Sequence, residues 1–290
     1  MDLDGDGIND ILSGSYSRTD EQPMAGLFQV LWGKLDGTFK KATVLKGTDD
    51  KPLIIPSTGD QDIIESICTR PTAVDWDGDG NLDLVVGNFA GSFHVFKGEG
   101  GGKFGPKCKP ITAGDSPLKL PGKHAAHADP FFVDWDKDGD LDLLSGSAAG
   151  GVVWAENTAG PKKPIVLKSF TTLIPAPTEL LNECRPDAVS VPDGSTRVWV
   201  ADMNGDGKLD VLVGDAIGLI SPIKGMSEAD FTKRYSEWKE SYSELQKRTE
   251  GVNDEEKVKP IYEQINKLYG QRKEFIDEDR TGFVWVYLQK

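Results

Sequence analysis

Apolar and polar residues alternate along most of this chain with the period of two that marks half-buried strands rather than helices. Four short apolar runs, ILSG (11–14), LVVG (84–87), LLSG (143–146) and VLVG (211–214), each end in glycine. An aromatic-rich stretch follows each: GLFQVLWG (26–33), GSFHVFKG (91–98), GGVVWAEN (150–157) and, far downstream, GFVWVYLQ (282–289). Three of the runs are preceded by another candidate strand, TAVDW (72–76), FFVDW (131–135) and RVWVAD (197–202). ATVLKG (42–47), PKCKPIT (106–112) and KPIVLKSF (163–170) are candidates for an outer strand. A sheet of four strands repeated in this way predicts propeller blades.

Immediately before each apolar run lies a nine-residue acidic loop: DLDGDGIND (2–10), DWDGDGNLD (75–83), DWDKDGDLD (134–142) and DMNGDGKLD (202–210). The copies align without gaps and start 73, 59 and 68 residues apart. The spacing has a chemical reason. Side-chain oxygens at positions 1, 3 and 5, a backbone carbonyl at 7 and a carboxylate at 9 can surround one hard cation, with Gly at 6 making the turn. The candidate ligands are Asp2, Asp4, Asp6, Ile8 and Asp10; Asp75, Asp77, Asp79, Asn81 and Asp83; Asp134, Asp136, Asp138, Asp140 and Asp142; and Asp202, Asn204, Asp206, Lys208 and Asp210. Ile8, Asn81 and Lys208 enter through their carbonyls. An EF-hand would require Glu at position 12 and a following helix. Position 12 is instead Ser13, Val86, Ser145 or Val213, and β-pattern follows.

These residues resemble the FG-GAP/VCBS repeat family, whose calcium loops also occur in the β-propeller of integrin α subunits. The pattern D-x-D-G-D-G-x-x-D-L-x-V-G stands nearly whole at residues 75–87. The resemblance implies a β-propeller, about four Ca²⁺ per chain and an extracellular, cell-surface or periplasmic location. Propellers of the family commonly have about seven blades. The expectation here is a mostly β chain with four visible blades, as part of a larger propeller or as a small ring.

Residues 227–279 follow another grammar. Phe231, Tyr235, Trp238, Tyr242 and Leu245 recur at helical spacing, and Ile261, Ile265, Leu268 and Phe275 repeat the stripe after a break at GVNDEE. Ser227 and Asp230 are candidate caps. The predicted organisation is propeller sequence at 1–226 and 280–290, with an antiparallel helical hairpin inserted at 227–279. The two stripes can bury each other, or form an oligomerisation or partner-binding surface.

Composition fits a folded chain, with 38% hydrophobic and 28% charged residues. A formal charge of −14 disfavours nucleic acid as a partner, and four bound Ca²⁺ would bring it to about −6. No apolar run reaches the ~18–20 residues of a membrane span. The sequence begins inside the first acidic motif and shows no signal peptide there. From this start we expect that sequence has been removed ahead of Met1.

A second candidate site comes from the lead-ins to the first strands: Glu65 to Pro71, His124 to Pro130 and Glu183 to Asp187. Pro follows Arg70, Asp129 and Arg185 at what reads as one register. Four readings stay open for these loops: ordinary loop residues, an acidic-ligand pocket clamped by Arg70 and Arg185, a Cys68–Cys184 disulfide, or a transition-metal site of Cys68, Cys184, His124 and His127. No nucleophile elbow, phosphate loop or zinc-protease motif is present, and calcium accounts for the placed aspartates. The favoured function is a non-catalytic, calcium-binding propeller for a protein or polysaccharide ligand. The alternative is a polysaccharide lyase or hydrolase using His127, Arg70 and Arg185. His94, Trp76 and Trp135 are expected to be structural.

Overall fold

The computed structural model describes residues 1–16, 24–57, 63–122, 126–177, 183–249, 251, 252 and 254–290. The chain is mostly β, with several antiparallel sheets and a helical region. It divides into two units: Met1–Leu180, Val191–Ala216 and Gly282–Lys290 form the first, and Leu181–Ser190 with Ile217–Thr281 the second.

In the first unit, β1 (Ile11–Ser13), β2 (Gln29–Leu31) and β3 (Thr43–Val44) form a three-stranded sheet. A short helix α1 (Ile63–Ser66) precedes a four-stranded sheet of β4 (Arg70–Val74), β5 (Asp83–Gly87), β6 (Phe93–Gly100) and β7 (Lys103–Pro110). A small ribbon, β8 (Thr112–Ala113) with β9 (Ser116–Pro117), follows. The next four-stranded sheet contains β10 (Asp129–Val133), β11 (Asp142–Gly146), β12 (Val152–Ala155) and β13 (Thr171–Ile174). The outer strand of this sheet is therefore residues 171–174 and not KPIVLKSF. The alternation in that segment serves another purpose, since Ile165 and Leu167 are buried in the core between sheets. After β14 (Glu183–Cys184) come β15 (Gly194–Ala201) and β16 (Asp210–Pro222); residues 211–214 of β16 also pair with β18 (Val284–Tyr287).

Because side chains alternate across a strand, each central sheet feeds two cores. Leu84 and its cross-strand partner Phe96 pack with Val30 of the first sheet and with Phe28 just ahead of its second strand. Val85 and Phe93 turn the other way, into a cluster with Leu143 and Ala155 of the next sheet. Leu144 and Val152 then pack with Val198, Val200, Val211 and Val213. Trp76 joins the second of these cores, 6.2 Å from Phe132 and edge-on to it, and Trp135 joins the third.

The glycine that ends each of the first three apolar runs marks where the backbone of the next sheet passes. A Cβ on Gly14 would lie 1.9 Å from the Thr69 carbonyl oxygen, on Gly87 2.2 Å from that of Ala128, and on Gly146 2.2 Å from that of Thr196. Beside these crossings the same backbone strap recurs. Cys68 and Thr69 donate N–H groups to the Tyr16 and Ser15 carbonyls (2.7 and 3.0 Å). His127 and Ala128 donate to Phe89 and Asn88 (3.0 and 3.0 Å), and Ser195 and Thr196 to Ala148 and Ser147 (3.1 and 2.9 Å). Cys68, His127 and Ser195 all take a left-handed backbone, with φ of 53°, 58° and 55°.

The second unit holds α2 (Glu228–Thr249) and α3 (Glu255–Gln271), followed by β17 (Ile276–Thr281), which pairs with residues 217–222 of β16. Ser227 caps α2: its Oγ accepts the Asp230 N–H at 3.1 Å and donates to the Asp230 carboxylate. Phe231, Tyr235, Trp238 and Tyr242 stack in series along α2, and Phe231 and Trp238 are buried. Arg272 is buried against Glu183, and its guanidinium lies 4.7 Å from the Trp238 ring centroid. Among the described residues no helix is long and apolar enough to cross a membrane.

The glycine crossings yield a paired prediction. Gly87→Ala should destabilise the chain by at least ~3 kcal/mol, because a backbone carbonyl cannot move aside cheaply. Gly214→Ala, whose Cβ would meet only the Arg197 Cβ at 4.0 Å, should cost less than about 1 kcal/mol. Urea unfolding of the two variants checks the contrast.

Candidate metal centres

Each acidic loop folds around its own first aspartate. Asp75 accepts the Gly78, Asp79 and Gly80 amides at 2.9, 3.1 and 3.0 Å. Asp202 does the same for its loop, Asp2 accepts the Gly5 and Gly7 amides (2.8 and 2.8 Å), and Asp134 accepts from Gly139 at 3.1 Å. The tight path requires positive φ at position 4, which is Gly5, Gly78 and Gly205 in three copies but Lys137 (φ 63°) in the other. Lys137 extends its ammonium to the Gly207 carbonyl of the fourth loop, 2.7 Å away.

The aspartate at position 9 has a second role that its spacing alone does not disclose. Asp10, Asp83, Asp142 and Asp210 are buried, and each accepts two backbone N–H groups, one per oxygen. One amide lies at position 2 of the same loop: Leu3 (2.9 Å), Trp76 (2.9 Å), Trp135 (3.1 Å) or Met203 (2.9 Å). The other comes from the end of the aromatic-rich stretch: Gly33 (2.8 Å), Gly98 (2.5 Å), Asn157 (2.8 Å) or Gln289 (2.9 Å). One side chain thus closes the loop and ties it to the neighbouring strand.

Electrostatics sets the loop carboxylates against one another. Among the described residues, three groups of acidic side chains place ligand atoms within 4.8 Å of each other: Asp2, Asp4 and Asp6; Asp75, Asp77 and Asp83; and Asp134, Asp136 and Asp138. Asp202, Asp206 and Asp210 form no such group, and the Asn204 amide donates to Asp206 at 3.3 Å. Burial pushes the Asp83 and Asp142 carboxyls above the ordinary carboxylate value, against the backbone hydrogen bonds that pull them down. Burial raises Asp140 too, with added repulsion from Asp138, Asp136 and Asp134. The Oδ1 atoms of Asp77, Asp134 and Asp140 are buried with no hydrogen-bond partner. An all-oxygen donor set with unpartnered, buried lone pairs fits a hard divalent cation.

The second loop carries a cation of its own. Lys97 Nζ lies 2.5 Å from Asp77 and 2.5 Å from Asp79, and 3.8 Å from Asp83. Partial burial would lower its pKa, but the hydrogen bonds to Asp77 and Asp79 raise it well above the ordinary lysine value.

The lead-in residues fall out differently from the proline alignment. Arg70 and His127 come together, Arg70 donating to the His127 carbonyl at 2.6 Å. Burial, then the charges of Arg70 and Arg197, lower the His127 pKa. Arg185 belongs to the second unit, where it pairs with Glu228 (2.9 Å) and donates to the Ile220 carbonyl. Arg197 holds the register shared by Arg70 and Asp129 instead, and sits 3.5 Å from Asp129. Cys68 is a free thiol, so the Cys68–Cys184 disulfide is not formed, and the Cys184 thiol donates to the Arg185 carbonyl at 3.3 Å. His124 lies outside the described residues. Glu65 is anchored to Asn88, Ser92 and Lys119. His94 is a partly buried strand residue whose pKa burial lowers.

A set of small antiparallel sheets, three with an aspartate loop joining two paired strands and one with the loop just ahead of its first strand, defines a repeat protein of propeller-like type. Residues 75–145 and 134–213 match the FG-GAP-like repeat, a unit often involved in binding, and over this span the chain is similar to the FG-GAP repeat family. No curated protein and no solved structure gives a match to the chain.

Removing the position-9 carboxylate should be costly even without metal. Asp142→Ala strands two buried amides, for an expected loss of about 3 kcal/mol. Asp136→Ala, an exposed change in the same loop, should shift stability by less than ~1 kcal/mol. Both values are read from urea unfolding in chelator.

Proposed function

We propose that this chain is a calcium-stabilised, propeller-type binding module, non-catalytic, that acts outside the cytoplasm on a protein or polysaccharide ligand. In this reading its four sheets are blades and its acidic loops are Ca²⁺ sites. The observation that carries the reading is the crowding of carboxylates in three loops together with the buried, unpartnered oxygens of Asp77, Asp134 and Asp140. Such an arrangement is electrostatically incomplete without cations. The FG-GAP-like repeats support the binding role, since that family's units are often involved in binding.

Calcium, when bound, would supply positive charge between the loop oxygens. The residues that would hold it are the loop carboxylates, with Asp140 adding a buried oxygen to the third loop. Extracellular calcium modules work at affinities of about 10⁻⁴–10⁻³ M, which suffice where the ion is plentiful. The helical unit, with its aromatic stack, is the candidate partner or oligomerisation surface. The Arg70, His127 and Arg185 set gains no support as a catalytic centre, because both guanidinium groups are engaged by protein atoms.

Thermal melting tests the reading. Addition of ~1–2 mM CaCl₂ to chelator-treated protein should raise Tm by roughly 5–10 °C, more than the same concentration of MgCl₂. The increment should be larger at pH 7 than at pH 4.5. Asp83, Asp140 and Asp142 have raised folded-state pKa values, so as pH falls through them, protons take the same oxygens that a cation needs. A Tm that calcium leaves unchanged at pH 7 contradicts the proposal.

A further inference from the structure

The four loops are alike in sequence but not in how their charge is balanced. The register fixed by the buried aspartates allows a strict comparison. The residue just before the clipped amide of the aromatic-rich stretch is Trp32 in the first repeat, Lys97 in the second, Glu156 in the third and Leu288 in the fourth. Only the second repeat places a basic residue there.

We propose that Lys97 is the built-in cation of the loop at residues 75–83, so that an ammonium group takes the place of a divalent ion there and leaves the buried Asp77 Oδ1 without a partner, whereas the loops at 2–10 and 134–142 call for a divalent ion. The Lys97 ammonium touches Asp77 and Asp79 and lies 3.8 Å from Asp83, three of the positions whose oxygens a metal would require. A divalent ion and the ammonium cannot share those oxygens, so metal enters only after Lys97 withdraws. The side chain is 43% exposed, and its flexible stem permits withdrawal at the expense of the two hydrogen bonds.

The third loop shows the opposite arrangement. It has five aspartates, and its basic residue, Lys137, reaches away to the Gly207 carbonyl. Asp140, 5% exposed, keeps one buried oxygen without a partner. Glu156, at the position of Lys97, adds negative charge that Lys168 takes up at 2.7 Å. Metal demand therefore varies along the array, and the second repeat would stay in place when calcium is scarce.

The inference rests on the calcium reading for the first and third loops, but its test separates the two. Lys97→Met in the full chain keeps the apolar stem and removes the charge. Calcium binding by titration calorimetry should show one site that is 10–100-fold tighter in Lys97→Met than in the unsubstituted chain. In chelator the variant should melt at lower temperature, and added calcium should close the gap. Equal calcium affinities together with equal melting in chelator overturn the inference. If neither protein binds calcium, the calcium reading fails by itself, and the melting in chelator decides: a lower Tm for Lys97→Met supports the counter-ion role, and an equal Tm overturns it. Should Lys97→Met not fold, Lys97→Arg keeps the charge and must reproduce the original calcium isotherm; a newly tight site there overturns the inference.

Discussion

A carboxylate without water around it has to be matched by donors, and four such carboxylates organise this protein. Asp10, Asp83, Asp142 and Asp210 each take two amides, one from the loop and one from the neighbouring strand. With both oxygens engaged, the acidic loop is pinned at its end, and in the loops at 2–10, 75–83 and 134–142 acidic side chains crowd together. Cation demand follows from that pinning. Lys97 meets it in one loop, and the unpartnered oxygens of Asp134 and Asp140 leave it open in another.

The same economy of backbone positions joins the sheets. A glycine with no room for a Cβ and a pair of amide straps recur at each crossing, and a left-handed residue sits beside them. That residue is Cys68, His127 or Ser195, so the position selects a backbone conformation and tolerates unlike side chains. Chemistry suggested by a cysteine and a histidine in matching places thereby becomes a geometric requirement that serine meets equally.

Much of this was legible in the sequence because strand and loop signals are local. Alternation located the inner strands, and the spacing of Asp and Gly located the turns that carry acidic side chains. What depended on register across distant strands was not legible. Lys97 reads as an ordinary strand residue until β6 is placed beside its loop, and Asp83 reads only as a ligand until the Gly98 amide is seen to face it. Proline was a poor guide to the lead-ins. Arg185-Pro186 imitates Arg70-Pro71, but the register follows the left-handed kink, which selects Arg197. KPIVLKSF alternates like a strand because Ile165 and Leu167 fill a core between sheets, a task with the same period.

The central claim is that buried aspartates fix the loops and leave their outer carboxylates for a cation. Amide hydrogen exchange, followed with and without calcium, tests both halves together. The account predicts that the amides of Trp76, Gly98, Trp135 and Asn157 are protected in chelator, and that calcium slows exchange across residues 134–142. Rapid exchange of those four amides in chelator, or no response of residues 134–142 to calcium, would contradict it.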